Sequence, residues 1–395
     1  MAMFDFDELT ARKGTNCVKW DVPMPDDVIP MWVADMDFRT APAVIEAVKR
    51  RAAHGIYGYT RVPQQYYDAI VGWFARRHNW TIDPTKIIYT TGVVPALSAI
   101  IKGLTKPGDK VIIQNPAYNC FFSSIRNNDC QLSANELVCR NGRFEIDFGD
   151  LERRAADPDA RLMIICNPHN PTGRLWSRDE LKRIAQICRD HNVIAVSDEI
   201  HCELTYGRRY NSFAPIAAEV GIDSVVCVSP SKAFNIAGLQ TANIVTTNSD
   251  MLARIDRAIN DNEVCDINPF GVVALIAAYN EGEQWLEELC DYIWENYQIT
   301  KRFFEERHPQ YSFPELEATY LMWIDVTESG LDADTFAARL LDEGKVMLNS
   351  GTMYSQVEPS AESNRQYVRL NLACPRARLE EALSRIDKFL SSLKS

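Results

Sequence analysis

The feature that most constrains the fold is a regular alternation of short β-branched runs with helical patterns, which begins at Lys86. One intervening segment, SRDELKRIAQICRDH, has Ser177 and Glu180 in capping-box spacing, followed by an apolar face of helical period. Strands that alternate with helices in this way form a mostly parallel sheet covered on both faces. The sequence therefore predicts an α/β fold. Its candidate strands are KIIYTT (86–91), KVIIQ (110–114), RLMIIC (161–166), VIAVS (193–197), SVVCVS (224–229) and ANIVTT (242–247).

The pattern changes after about residue 280, which predicts a second domain. YLMWIDV (320–326) and QYVRLNL (366–372) are typical of strands in a different sheet, and residues 377–393 have the pattern of an amphipathic closing helix. The proline-containing start of the chain is too irregular for the main sheet. We therefore predict a large domain over residues 43–280 and a smaller α+β domain over residues 281–395, with residues 1–42 belonging to the smaller one.

Composition excludes several classes of function. The 395 residues carry a formal net charge of -12, which disfavours general binding to nucleic acid or anionic lipid. The start MAMFDFDELT lacks the basic and apolar regions of a signal peptide, and no apolar run is long enough for a membrane span. Eleven cysteines without a C-x-x-C pair favour a reducing cytoplasm. His201-Cys202-Glu203 is only a weak metal signal, so no metal is expected.

Polar residues follow the ends of the first three predicted strands of the main sheet. Gly92-Val93-Val94 opens a helix and can close backbone N–H groups on an anion; taken alone, the simpler interpretation is a plain tight turn. Tyr118 follows the second strand, where it either covers a planar ring or simply packs. Asn170 lies in the rigid turn NPHNPTG after the third strand. The rigidity either holds the Asn170 amide in place for a ligand or reflects only the residues that a tight turn requires.

The next two strands end in groups that ionise. Asp198 stands directly at the end of an apolar strand, where a carboxylate is costly unless paired; an N-cap is the alternative. Lys232 follows the fifth strand, with Ser229 three residues before it, and a solvated lysine is the simple alternative. Carboxyl ends of parallel strands meet at one edge of a sheet. An anion cradle, an aromatic ring, a fixed amide, a carboxylate and a lysine at one edge are what pyridoxal phosphate (PLP) requires.

At these residues the sequence resembles the PLP enzymes of the type I aminotransferase fold. NPHNPTG, SDEIH and SPSKAFNIAGL occur in the family's order, with 28 residues from Asn170 to Asp198 and 34 more to Lys232. Further motifs resemble the MalY/PatB branch, the cystathionine β-lyase or C–S lyase group: IPMWVADMDF (29–38), HGIYGYTR (54–61), NPAYNCFF (115–122) and YVRLNLACP (367–375). The resemblance covers essentially the whole chain and implies a mostly parallel, seven-stranded sheet between helices, plus a smaller α+β domain.

The resemblance also implies roles for individual residues around the cofactor. Lys232 would be the catalytic Schiff-base lysine, and Asp198 the partner of the pyridine nitrogen. Tyr118 would stack on the ring, and Asn170 would bond its 3-hydroxyl oxygen. The remaining predicted cofactor-binding residues are Gly92, Val93, Val94, Ser229 and His201.

Substrate binding and assembly follow from the same resemblance. Arg369 would bind the substrate carboxylate, with Ala34, Asn170 and Tyr118 also in contact with substrate. Val368, Leu370 and Leu372 alternate onto one strand face, which turns Arg369 to the other face. Tyr59 would reach the phosphate from the neighbouring subunit of a homodimer with twofold symmetry.

The predicted reaction is β-elimination from L-cystathionine or a related L-cysteine thioether, giving a thiol, pyruvate and ammonia. Lys232 would remove the Cα proton, and Tyr59 or Tyr118 would assist proton transfer. Two departures bear on this prediction: Gln240 replaces a phosphate-binding arginine of many aminotransferases, and Val62 replaces a tryptophan of some lyases. The alternatives are a PLP-dependent aminotransferase and a regulatory or binding protein on the same scaffold.

Overall fold

The computed structural model describes residues 3–261, 263, 265–356 and 366–393. Its strands are β1 (Ile29–Pro30), β2 (Ile87–Thr90), β3 (Lys110–Asn115), β4 (Gln131–Arg140), β5 (Arg143–Ile146), β6 (Ala160–Cys166), β7 (Ile194–Asp198), β8 (Ser224–Val228), β9 (Ala242–Val245), β10 (Leu321–Asp325), β11 (Val346–Met347), β12 (Asn349–Ser350) and β13 (Tyr367–Asn371).

The strands alternate with helices over most of the chain. These are α1 (Val18–Asp21), α2 (Pro42–Ala53), α3 (Gln64–His78), α4 (Val93–Leu104), α5 (Asn119–Arg126), α6 (Phe148–Ala155), α7 (Arg178–His191), α8 (Phe213–Val220), α9 (Ser249–Asn260), α10 (Pro269–Glu281), α11 (Glu283–Arg307), α12 (Ala333–Gly344) and α13 (Arg376–Ser392). Within the described ranges, no helix combines the length and the apolar character needed to cross a bilayer.

The central sheet has the strand order β2-β9-β8-β7-β6-β3-β4-β5 among the described residues. Pairing from β8 through β7, β6 and β3 to β4 is parallel, and β9 is antiparallel to both of its neighbours. Strands β2, β3, β4, β6, β7 and β8 therefore run in one direction, which confirms the mostly parallel α/β sheet. Their carboxyl ends meet at one edge.

Helices cover both faces of this sheet because successive side chains of its strands point to opposite sides. Val111 and Ile113 of β3 belong to one apolar cluster with Ile100 of α4. Ile112, between them, belongs to another cluster with Ile184 of α7. Helix α7 begins at the predicted capping box, whose two reciprocal hydrogen bonds are both formed.

The predicted strands are confirmed, with ends that differ by at most two residues. The hairpin of β4 and β5 was not predicted, because β4 carries buried polar residues instead of an apolar run. Asn135 in β4 is fully buried and donates to Asp147 O and Asp150 Oδ2. Strand β5 pairs only with residues 137–140, beyond the part of β4 that pairs with β3, and adds an eighth strand to the seven predicted.

Two smaller sheets are formed by the ends of the chain. Strand β13 lies between β10 and β12 and is antiparallel to both. Strand β1 pairs in parallel with β11, so the N-terminal segment is joined to the C-terminal part of the chain. Helix α13, at nearly the predicted bounds, buries Leu379, Leu383 and Ile386.

Candidate active site

A cavity of about 200 Å³ lies at the carboxyl-terminal edge of the central sheet. The loops that follow β2, β3, β6, β7 and β8 contribute to its lining, as expected where parallel strands end together. Most of the predicted site residues are therefore brought around one space. Those that line it are Ala34, Gly92, Val93, Val94, Tyr118, Asn170, Asp198, His201 and Lys232.

Lys232 is the amine of this cavity and follows β8. Its Nζ donates a hydrogen bond of 2.6 Å to the backbone oxygen of Ala34. Burial, together with the positive charge of Arg369, lowers the pKa of Lys232 to about 8. An uncharged amine is consequently present near neutral pH, where it can act as a nucleophile or a base.

Asp198 is the last residue of β7 and is buried beside Cys166 of the neighbouring strand. Its Oδ1 accepts a hydrogen bond of 3.1 Å from the backbone N–H of Ile200. Burial raises the pKa of Asp198 to about 7, and the nearby Glu199 adds to the increase. A cation bound against this carboxyl would restore its negative charge, because an opposite charge favours the ionised form.

Arg369 and Asn170 are joined directly, although they come from β13 and from the turn after β6. Arg369 Nη1 donates to Asn170 Oδ1 at 3.1 Å, and Arg369 Nη2 donates to the backbone oxygen of Trp32 at 2.9 Å. Arg369 is buried, and its Nε has no hydrogen-bond partner within the part of the chain that is described. Burial lowers the pKa of the guanidinium. This arrangement fits an anionic group bound beside Arg369.

The turn after β2 also contributes to the cavity lining. Gly92 is the N-cap of α4, and Val93 and Val94 begin that helix, whose positive end favours an anion. Ser231 also lines the cavity, whereas Ser229 lies behind it and donates to Thr241 O at 2.7 Å. Ser231 N and Ser229 Oγ are joined at 3.1 Å. The structure thus brings a second serine of the SPSK motif to the cavity surface.

Tyr118 and His201 supply the two rings of the cavity wall. Burial raises the pKa of the Tyr118 phenol, so it stays protonated at neutral pH. Burial, with the charges of Lys232 and Arg369, lowers the pKa of His201 well below its ordinary value. His201 Nδ1 is buried without a hydrogen-bond partner among the described residues. A neutral imidazole with an unused nitrogen fits a polar ligand in this cavity.

Among the predicted site residues, Tyr59 is the one whose side chain is almost fully exposed in the single chain. It is 98% exposed and lies between α2 and α3, outside the cavity lining. Ile56 and Tyr57 are exposed on the same segment. The structure of a single chain does not bring Tyr59 to Lys232.

Several residues that contribute to the site were not predicted. Ala34 O accepts a second hydrogen bond, of 2.8 Å, from Tyr320 Oη, next to the bond from Lys232. The carbonyl oxygens of residues 32–36 are further held by the side chains of Asn235, Asn349 and Asn371. These contacts join segments more than a hundred residues apart, so no local pattern signals them.

The His-Cys-Glu sequence at the start of the loop after β7 is divided in the structure. His201 lines the cavity, whereas Cys202 and Glu203 group with His78, with potential ligand atoms within 4.8 Å of one another. Arg77 Nε donates to Glu203 Oε2 at 3.0 Å. A guanidinium beside this carboxylate neutralises it and would repel a metal cation, so we interpret the group as a structural polar cluster.

Comparison with known proteins identifies the family. Residues 26–386 match the family model described as aminotransferase class I and II. The chain belongs to that family. A similar curated protein is cystathionine beta-lyase PatB of Bacillus subtilis (strain 168), with 40% identity over 392 residues, covering 98% of this chain and 100% of the relative.

Two solved structures are similar in both sequence and shape. Cystalysin from Treponema denticola, which contains a pyridoxal 5'-phosphate cofactor, has a TM-score of 0.94 and 32% identity, covering 99% of this chain and 100% of that one. The PLP-bound C–S lyase from Staphylococcus hominis has a TM-score of 0.90 and 32% identity, covering 98% and 99%. The predicted resemblance to PLP enzymes of the C–S lyase group is therefore confirmed.

Proposed function

We propose that this protein is a PLP-dependent C–S lyase that converts L-cystathionine, or a related L-cysteine thioether, to a thiol, pyruvate and ammonia. The observation that carries the proposal is the cavity that brings together Lys232, Asp198 and Asn170, with Arg369 bonded to Asn170. An amine, a buried acid and a carboxylate-binding guanidinium are the groups that amino-acid chemistry on PLP requires. The similarity to cystathionine beta-lyase PatB supports the lyase over other reactions of this family.

The residues of the cavity fit the parts of the cofactor. Lys232 would hold it covalently, and Asp198 would keep its ring nitrogen protonated. Gly92, Val93 and Val94 would hold the phosphate at the start of α4. Ser231 lines the same cavity, and Ser229, predicted as a phosphate ligand, lies behind it and accepts from Ser231 N. The remaining contacts are Tyr118 on the ring face, Asn170 at the ring hydroxyl and His201 on the cavity wall. When bound, the protonated ring supplies an electron sink for the bonds broken at the substrate's Cα.

The protein's own side chains orient the substrate and move its protons. Arg369 would bind the α-carboxylate in a bidentate manner, which fixes the direction of the Cα–H bond. Once the substrate's amine has replaced Lys232 on the cofactor, the freed Nζ would take the Cα proton. Burial lowers the pKa of this amine to about 8, so part of it is unprotonated near neutral pH. Tyr118 remains protonated because burial raises its pKa, so its hydroxyl can donate to the departing sulfur.

We expect the active unit to be a homodimer in the cytoplasm. Tyr59, at 98% exposed, and the neighbouring Ile56 and Tyr57 are three large exposed side chains on one segment. Across a twofold axis, this segment of one subunit would meet the cavity of the other and bring Tyr59 to the phosphate. None of the eleven cysteines, all within the described ranges, forms a disulfide, as is usual in a reducing compartment.

The direct test is to mix the purified protein, loaded with PLP, with L-cystathionine and to measure pyruvate and free thiol together. Equal amounts of both products, formed over many turnovers, would support the lyase. Conversion of the cofactor to its amine form, reversed by a keto acid and without thiol release, would instead show an aminotransferase. Lys232→Ala should abolish turnover, whereas Lys49→Ala, which alters an exposed lysine paired with Glu46, should not.

A further inference from the structure

Arg369 lies between two side chains that face it across the strands. In the sheet of β10, β13 and β12, its cross-strand partners are Trp323 on one side and Asn349 on the other. The Arg369 guanidinium is also 4.8 Å from the centre of the Tyr354 ring, which lies in edge contact with Trp323. A guanidinium stacked on an aromatic face is held in one plane.

One amide links the groups that hold this arginine. Asn349 Nδ2 donates to the backbone oxygen of Trp32 at 2.9 Å and to Tyr354 Oη at 3.0 Å. The same Trp32 oxygen accepts from Arg369 Nη2 at 2.9 Å. Asn349 therefore contacts both the Trp32 oxygen, which accepts from the guanidinium, and the Tyr354 side chain, whose ring lies against the guanidinium. These contacts form a closed ring of interactions around Arg369.

We propose that Asn349 is a positioning residue that sets the selectivity of Arg369 for the substrate carboxylate. The inference rests on the proposed function and deepens it. A bidentate bond to a carboxylate requires the guanidinium plane to be fixed in advance. Asn349 supplies that restraint by holding Trp32 O and Tyr354 in place, without itself contacting the carboxylate. If Asn349 only connected β12 to the N-terminal segment, its loss would weaken binding of any ligand in the cavity equally.

The experiment compares two ligands that do not react. (Methylthio)acetate is a thioether carboxylate without an amine, and (methylthio)acetamide is its neutral counterpart. Their dissociation constants would be measured by calorimetry on the PLP-loaded protein. For Asn349→Ala we expect the carboxylate to bind about tenfold more weakly, the usual effect of losing about one to two net hydrogen bonds. The amide should bind with unchanged affinity.

A matched control is Asn128→Ala. Asn128 is also half-buried, and its Nδ2 also donates twice, to Ser98 Oγ and Ser124 O. It lies on none of the elements that hold Arg369, so both ligands should bind as they do to the unmodified protein. Equal weakening of carboxylate and amide by Asn349→Ala, or no change in either, would overturn the proposal.

Tyr354→Phe covers the case in which Asn349→Ala does not fold. This variant keeps the ring beneath Arg369 and removes only the oxygen that accepts from Asn349, so we expect about a threefold loss for the carboxylate alone. An unchanged ratio of carboxylate to amide affinity would again refute the role. Because binding is measured without turnover, a protein that binds the carboxylate selectively but releases no thiol would reject the lyase proposal and retain the role of Asn349.

Discussion

Replacing Asp198 by Asn should stabilise the cofactor-free protein at alkaline pH while weakening cofactor binding. Asp198 is buried, and burial raises its pKa from 3.8 to about 7, with Glu199 contributing in the same direction. The folded protein therefore holds a proton that the unfolded chain releases between those two pH values. Ionising the buried carboxyl costs free energy in the folded state only.

The size of the effect follows from the two pKa values. Stability falls as pH rises from about 4 to about 7, because the folded state binds the proton more tightly than the unfolded state over that range. The difference between 3.8 and about 7 corresponds to about 4 kcal/mol, at about 1.4 kcal/mol for each tenfold change in acidity. Asn resembles the protonated acid, and its amide oxygen can still accept from Ile200 N–H. The Asn side chain does not ionise, so the variant avoids the free-energy cost of a buried negative charge.

The assay is thermal unfolding of both proteins after removal of the cofactor, at pH values from 4 to 8. For 395 residues, with an unfolding entropy of about 2 cal/mol/K per residue, 4 kcal/mol corresponds to roughly 5 °C. The variant should unfold about 5 °C higher at pH 8 and at nearly the same temperature at pH 4. With PLP bound we expect the order to reverse, because the proposed pairing of the wild-type carboxylate with the cofactor's ring cation would be lost in the variant. A difference that does not depend on pH, or a variant no more stable at pH 8, would refute the reasoning.

Three further predictions follow from the buried charges. In the cofactor-free protein, modification of Lys232 by an amine-directed reagent should rise with a midpoint near pH 8, because burial lowers its pKa to about 8; a midpoint near that of surface lysines would contradict this. Arg369→Lys should raise KM for L-cystathionine about 100-fold, since lysine cannot make the bidentate contact, while the dissociation constant of PLP stays unchanged; an unaltered KM would remove Arg369 from carboxylate binding. Glu317→Gln should lower the free energy of urea unfolding by about 3 kcal/mol, because it leaves buried Arg174 without the negative charge of this partner. Arg174 Nη1 donates to Glu317 at 2.6 Å. Glu343→Gln, a control at an exposed ion pair with Arg339, should leave the free energy of unfolding nearly unchanged, because water screens this pair.

The parts of the fold that could be predicted are those specified by local patterns. The buried strands of the central sheet have apolar runs, and α7 begins at a capping box, so both can be predicted from residues that are close together in the sequence. Strand β4 was missed because Asn135 is buried there with distant partners on α6 and just before it. The division into domains at residues 42 and 280 stays a prediction.

The candidate site divides in the same way. Lys232, Asp198 and Asn170 each follow an apolar strand, so the rule that ligands bind at the carboxyl ends of parallel strands was sufficient to select them. Asn349 and Tyr320 act through the backbone oxygens of Trp32 and Ala34, more than 280 residues earlier in the chain. Such contacts depend on how the N-terminal segment lies across the site, and no spacing in the sequence encodes them.

The charges around the cavity explain how one set of residues could hold both an anionic cofactor and an anionic substrate. Burial moves each titratable group toward its neutral form: the pKa of Asp198 is raised, and those of Lys232, His201 and Arg369 are lowered. Each shift is a free-energy cost that a ligand of opposite charge can offset. A cationic ring beside Asp198 and a carboxylate beside Arg369 would therefore bind more tightly than they would to the same two side chains exposed to water. Each ligand would also favour the charged form of the side chain that it contacts. The same burial costs free energy in the cofactor-free protein when Asp198 ionises, which is why the Asp198→Asn protein is expected to be more stable only while the cofactor is absent.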